Sequence, residues 1–176
     1  MKTRPIFLGI DPGSRVIGFA ALSPLKLSPR GMNDWRLIDV GVLRVDLKLT
    51  SCERLFAIHE AIYDLVLEIS PSQVVIEKAF HGVNAQSSLR MGEARGAIIA
   101  AIGRCGLATV EYAPTEIKQT IGGSGQASKE QVANAITTLL GFKRGKLPLD
   151  ATDALAIAMT GALNSKIIFG ETKIEF

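Results

Sequence analysis

Four acidic residues stand where a folded chain could use them together. Asp11 follows the apolar run Ile6–Ile10, Glu77 follows Val74-Val75-Ile76, and Asp150 and Asp153 open an Ala- and Leu-rich helical stretch as Asp-Ala-Thr-Asp. Taken singly, each also has an ordinary use. Asp11 in Asp-Pro-Gly suits an Asx turn, Glu77 at a strand end can reach solvent, and Asp150 resembles a helix N-cap with Asp153 favoured by the macrodipole. Asp150 and Asp153, three residues apart, share one helix face. If the strands ending at Asp11 and Glu77 are neighbours, all four carboxylates meet. So many negative charges repel unless protons or a cation offset them. Oxygen donors without His or Cys point to magnesium or manganese. Two such ions about 4 Å apart can activate water and stabilise the leaving oxygen of an in-line phosphoryl transfer. The set therefore predicts phosphodiester hydrolysis.

The charge pattern agrees with a phosphate-bearing partner. From Lys78 to Lys146 there are nine basic residues against four acidic ones and no Asp, within a chain whose net charge is only +3. Solvated helix faces would give the same count, so the stretch raises the expectation of an anionic ligand without requiring it. Cys52 and Cys105 form no CxxC, and His59 and His81 are the only histidines, which leaves no zinc cluster and no disulfide framework. The run Ile6–Ile10 is too short for a signal sequence, and none approaches the roughly 18 apolar residues of a membrane span. A cytoplasmic protein without membrane attachment is expected. With 176 residues, 47% of them hydrophobic, the chain is long enough for one well-buried core.

The elements that must position these residues follow from periodicity. Ile6–Ile10 and Ile17–Leu22 read as a hairpin-like pair. A loop from Ser23 to Asn33 leads to a third antiparallel strand in Trp35–Leu47. Thr50 or Ser51 can cap a helix whose Leu55, Ile58, Ile62, Leu65, Val66 and Ile69 form one stripe, ended by Pro71. Gln73–Glu77 is a short strand of the kind buried on both faces. A long helix over Asn84–Arg104, a strand over Leu107–Tyr112, and a short helix from Pro114 come next. Gly122-Gly123-Ser124-Gly125 precedes a helix over Gln126–Leu140, and the last helix spans Asp150–Leu163. The fold class is therefore α/β, a five-stranded mixed sheet of three antiparallel strands plus parallel crossover strands, flanked by helices. Residues 1–164 form a single domain and 165–176 a C-terminal tail.

The ordered motifs resemble those of the RuvC family of Holliday junction resolvases. They are Phe7-Leu8-Gly9-Ile10-Asp11-Pro12-Gly13 with Ser14-Arg15-Val16-Ile17-Gly18, Val75-Ile76-Glu77-Lys78-Ala79-Phe80, Asn84-Ala85, Gly92-Glu93-Ala94-Arg95-Gly96-Ala97, Ala113-Pro114 with Ile117-Lys118-Gln119, and Asp150-Ala151-Thr152-Asp153-Ala154-Leu155. The resemblance implies a ribonuclease H-like nuclease domain that acts as a homodimer. It also implies symmetric nicking of four-way DNA junctions in recombination and repair, leaving 5′-phosphate and 3′-hydroxyl ends. Asp11, Glu77, Asp150 and Asp153 then match the catalytic carboxylates that hold two Mg²⁺ per site, with Mn²⁺ able to substitute. Lys118 matches a catalytic and DNA-contacting lysine, Lys129 a lysine on the DNA backbone, and Phe80 an aromatic that stacks on a base at the opened crossover. The RuvAB branch-migration helicase is the implied partner. The chain departs from the family pattern in Met159-Thr160-Gly161-Ala162-Leu163, where members often carry His, and in Lys78, where Gln is commoner.

Bland uses compete for several of these residues. Lys118 and Lys129 also suit a solvated surface, and Arg95, inside an Ala/Gly-rich helix, suits a structural ion pair as well as a DNA contact and is left out of the catalytic set. Ala94, Gly96, Ala97, Ala100 and Ala101 make Asn84–Arg104 the candidate dimer helix, although small residues also serve packing on the sheet. Three rival functions share the fold or the charge: a nuclease trimming ribosomal RNA precursors, an inert junction-binding protein, and half of an actin- or Hsp70-type nucleotide-binding unit.

Overall fold

The computed structural model describes residues 4–25, 35–78, 84–141 and 147–165. Strands β1 (Phe7–Asp11), β2 (Val16–Pro24) and β3 (Trp35–Arg44) precede helix α1 (Ser51–Ile69). Strand β4 (Gln73–Glu77), helix α2 (Ala85–Arg104) and strand β5 (Thr109–Tyr112) follow, then helices α3 (Pro114–Gly122), α4 (Lys129–Leu140) and α5 (Leu149–Leu163). The five strands form one sheet in the order β3-β2-β1-β4-β5. Pairing is antiparallel across β1–β2 and β2–β3 and parallel across β1–β4 and β4–β5. The mixed sheet with helices on both faces matches the architecture read from the sequence.

Alternation along the strands sends side chains to two cores. Leu8, Ile10, Val74 and Ile76 join Ile58, Ile62 and Ile98 on the face covered by α1 and α2. Phe7 and Val75 point the other way, into a core shared with Ile117, Ile136, Leu155 and Met159 of α3, α4 and α5. The almost wholly apolar α5 is buried along most of its length. It packs so closely on the sheet that a Cβ at Gly9 would fall 2.3 Å from the Ala154 carbonyl oxygen.

Element ends move where capping chemistry overrides periodicity. Thr50 caps α1, accepting from the Glu53 N–H while the Glu53 carboxylate accepts from the Thr50 N–H, and Ser70 closes the helix in the left-handed region at φ 49. The expected start of α4 at Gln126 gives way to Lys129, because Ser128 and Gln131 form a reciprocal capping box. Asp150 is not the N-cap of α5: Pro148 holds that position, Leu149 begins the helix, and Asp150 lies in the first turn. Strand β2 continues through Ser23 and Pro24 instead of giving way to a loop at Ser23, because both pair with β3. β3 ends at Arg44 rather than Leu47, and β5 begins at Thr109 rather than Leu107.

Candidate active site

Three elements deliver four carboxylates to one place. β1 and β4 are parallel neighbours with Ile10 opposite Ile76, so Asp11 and Glu77 come one step later on adjacent strands. Alternation places both on the face that α5 covers, together with Phe7, Gly9 and Val75. The first turns of α5 add Asp150 and Asp153. They reach the sheet because Gly18, paired with Asp11 across β1–β2, carries no side chain. A Cβ there would sit 2.1 Å from the Asp150 carbonyl oxygen.

All four acids line a cleft of about 600 Å³. Its remaining wall comes from the start of α3, with Pro114, Thr115 and Lys118, and from Lys129 and Val132 of α4. Lys118 and Lys129 therefore meet the acids in the cleft, although each lies far from them in sequence. The Lys129 ammonium donates a 3.0 Å hydrogen bond to Asp153 Oδ2. Sequence reasoning placed Lys129 against DNA and missed this bond, since no periodic pattern links residues on separate helices. Thr115, which also lines the cleft, was missed as well; its place beside Pro114 at the head of a helix was the available signal. Phe80 lies outside the described residues.

The electrostatics record how closely the acids are gathered. Burial, and then the charges of Asp153, Glu77 and Asp150, push the Asp11 carboxyl up to about 7, with Lys129 opposing. Glu77 is raised too, by burial first and by Asp153 second, while Lys129, Lys118 and Arg95 pull it back. Lys129 is raised in turn, chiefly by its hydrogen bond to Asp153 and the charge of that carboxylate. A cleft that raises the proton affinity of two of its carboxyls is one that a cation would stabilise.

The donor chemistry fits a hard divalent ion, because the converging groups are carboxylates with no sulfur or imidazole among them. Among the described residues, no three Asp, Glu, His or Cys side chains already stand as a finished coordination set. Asp153 is engaged with Lys129 instead.

Of the two uses open to Arg95, the structure shows the ion pair: it bonds the Glu77 carbonyl and the Glu111 carboxylate. Small residues of α2 divide between two uses. Ala94 and Ala101 are buried in the sheet-side core, whereas Gly92, Gly96 and Ala100 face outward.

Comparison with known proteins agrees with this fold. The model of the family described as crossover junction endodeoxyribonuclease RuvC matches residues 7–161. The RuvC of Chloroherpeton thalassium is 38% identical over 160 residues, which is 91% of this chain and 83% of the relative. That of Chromohalobacter salexigens is 39% identical over 157 residues, covering 89% and 80% of the two chains. Thermus thermophilus RuvC superposes with a TM-score of 0.81 at 29% identity, over 92% of this chain and 96% of its own. The T. thermophilus protein in complex with a Holliday junction substrate gives a TM-score of 0.80 at 30% identity, over 90% and 93%. The yeast mitochondrial resolvase Ydc2, at 13% identity and a TM-score of 0.63, shares the fold, with 87% of this chain and 75% of its own covered. The mixed sheet is thus a ribonuclease H-like one, and the chain belongs to the RuvC family of crossover junction endodeoxyribonucleases.

Proposed function

We propose that this protein resolves four-way DNA junctions by paired, symmetric phosphodiester hydrolysis in recombination and repair, leaving 5′-phosphate and 3′-hydroxyl ends. The observation that carries the proposal is the convergence of Asp11, Glu77, Asp150 and Asp153 on one cleft that also holds two lysines, in a chain that matches the RuvC family from residue 7 to residue 161. Asp11, Glu77, Asp150 and Asp153 would hold two Mg²⁺ ions, or Mn²⁺ in their place. Bound there, the ions supply Lewis acidity toward the attacking water and the scissile phosphate. Lys129, which donates to Asp153, would compete with an ion for that carboxylate and would serve the DNA backbone as a cation. Lys118 stands in the same cleft, placed to offset charge on the phosphate. Ile117, Val132 and Ile157 give the cleft an apolar wall that strengthens each charge interaction within it. Phe80, three residues beyond Glu77, stacks on a base at the opened crossover.

Two cuts across a two-fold junction require two equivalent sites, which a symmetric homodimer supplies most directly. The outward face of α2 is the proposed contact: Leu89 is 65% exposed there, and a Cβ at Gly92 or Gly96 would meet nothing within 4 Å. Residues 1–164 act as one nuclease domain with 165–176 appended, RuvAB is the proposed branch-migration partner, and the cytoplasm is the proposed location. Among the described residues no helix is long and apolar enough to cross a membrane.

The test is cleavage of a mobile four-way junction, a linear duplex and a structured RNA in Mg²⁺, by the wild type and by Asp11→Asn. Paired nicks confined to the junction are expected, lost in Asp11→Asn while junction binding persists. Binding by the wild type without metal-dependent cutting would overturn the enzymatic reading, and cleavage of the RNA alone would favour the ribosomal-precursor nuclease.

A further inference from the structure

Arg95 has its side chain only 11% exposed, and among the described residues it is the one charged residue with less than a tenth of its surface open to solvent. Burial of a guanidinium has to be offset by well-placed acceptors. It has two. Nη1 donates to the Glu77 carbonyl oxygen at 2.7 Å, and Nη2 stands 2.7 Å from Glu111 Oε1. Glu111 lies on β5 opposite Ile76, and Tyr112 lies opposite Glu77. One planar group therefore ties the middle of α2 to the last peptide of β4 and to the neighbouring strand.

That peptide is where the ladder runs out. The pairing of β4 with β1 stops at Ile10 and Ile76, and on the β5 side the Lys78 N–H donates to the Tyr112 carbonyl at 2.8 Å. The direction in which the Glu77 side chain leaves the backbone is set by the peptide planes on either side of it. Arg95 grips the carbonyl of the one that follows.

We propose that Arg95 is a positioning residue for the carboxylate cluster. It holds the Glu77 peptide so that the Glu77 carboxylate enters the cleft in the orientation a divalent cation needs, and Glu111 anchors the guanidinium to that task. The inference rests on the function proposed above and deepens it. It does not make Arg95 a DNA contact, because both arms are committed and the group is buried. Lysine can replace it only in part, since a single ammonium cannot repeat two divergent bonds with one planar fork.

The experiment compares the wild type with Arg95→Gln, Arg95→Lys and Glu111→Gln. Three quantities are measured: Mn²⁺ affinity by calorimetry without DNA, kcat and KM on a four-way junction, and thermal stability. Arg95→Gln is expected to weaken Mn²⁺ binding and lower kcat by about tenfold or more, the usual scale for groups that orient metal ligands, with KM within about twofold. Arg95→Lys falls between the two, and Glu111→Gln shifts both quantities in the same direction by a smaller factor. A folded Arg95→Gln with wild-type Mn²⁺ affinity and kcat overturns the inference, as does a raised KM with kcat intact, which would identify a DNA contact. Should Arg95→Gln not fold, Glu111→Gln decides, and unchanged Mn²⁺ affinity there overturns the inference. A wild type that binds Mn²⁺ but cuts no junction refutes the proposed function, while the comparison of Mn²⁺ affinities still answers the question about Arg95.

Discussion

Asp11→Asn should make the metal-free protein more stable while it abolishes cleavage, and the effect should grow with pH. The unfolded Asp11 ionises near 3.8 and the folded one at about 7, raised by burial first and by Asp153, Glu77 and Asp150 next. A carboxyl whose folded value is raised opposes folding once the unfolded chain has lost its proton. Its cost is absent below 3.8, grows as pH rises through the interval, and is complete above about 7. At about 1.36 kcal/mol per pH unit, a displacement of roughly three units sets a ceiling of about 4 kcal/mol at pH 8. At pH 5 only about a third of that has accumulated. Water entering the open cleft and readjustment of Lys129 lower the realised cost, so a gain of about 2 kcal/mol is expected for Asp11→Asn at pH 8. For a domain of this size that corresponds to about 4–8 °C in Tm. The assay is thermal denaturation in a chelator at pH 5 and pH 8, repeated with Mg²⁺. The wild type should gain stability from Mg²⁺ and close the gap, whereas the variant should respond weakly. An Asp11→Asn protein that is less stable than the wild type at pH 8 without metal, or an advantage that is the same at both pH values, would refute the electrostatic reasoning.

Other perturbations probe the rest of the frame. Gly18→Ala puts a Cβ 2.1 Å from the Asp150 carbonyl oxygen, so it should cost about 1–3 kcal/mol by overpacking and lower kcat by moving the first turn of α5; denaturation and single-turnover cleavage read the two effects. Gly96→Ala meets open space and should stabilise by up to about 1 kcal/mol through helix propensity. Gly96→Glu should leave a folded monomer by analytical ultracentrifugation if the outward face of α2 is the contact, and an intact dimer would exclude that face. Lys129→Met removes a cation that Asp153, Asp11 and Glu77 all feel. It should reduce the salt slope of junction binding by about one unit, and an unchanged slope would leave Lys129 with Asp153 alone.

The frame of the site was legible where local pattern and tertiary demand agree. Gln73–Glu77 is an apolar run bounded by Pro71 and by polar residues, and it forms the strand that was expected. In the α1 stripe Ile58, Ile62, Leu65, Val66 and Ile69 are buried as their spacing required, and Leu55, near the start of the helix, is half-buried. Once β1 and β4 are parallel neighbours, period-two alternation alone puts Asp11 and Glu77 on one face. The helix starts were legible only to within a turn. At Ser128 the reciprocal bond to Gln131 outweighed the periodicity that began at Gln126, and at Pro148 a residue with no capping side chain took the place expected of Asp150.

What the sequence withheld is the set of interactions between groups that no periodicity relates. Arg95 finds its acceptors 18 residues back, at a backbone carbonyl, and on Glu111 of a different strand. Lys129 reaches Asp153 across 24 residues. A pattern of residue types can mark a lysine as cationic but not say which carboxylate it neutralises. That choice depends on how α4 and α5 pack, and hence on Gly9 and Gly18 letting α5 lie against the sheet. The same packing explains why Asp11 and Glu77 hold protons more tightly in this fold than they would in an extended chain. Electrostatic strain at the cleft is therefore a product of the tertiary structure. It should disappear on unfolding, whereas the chain's total charge cannot.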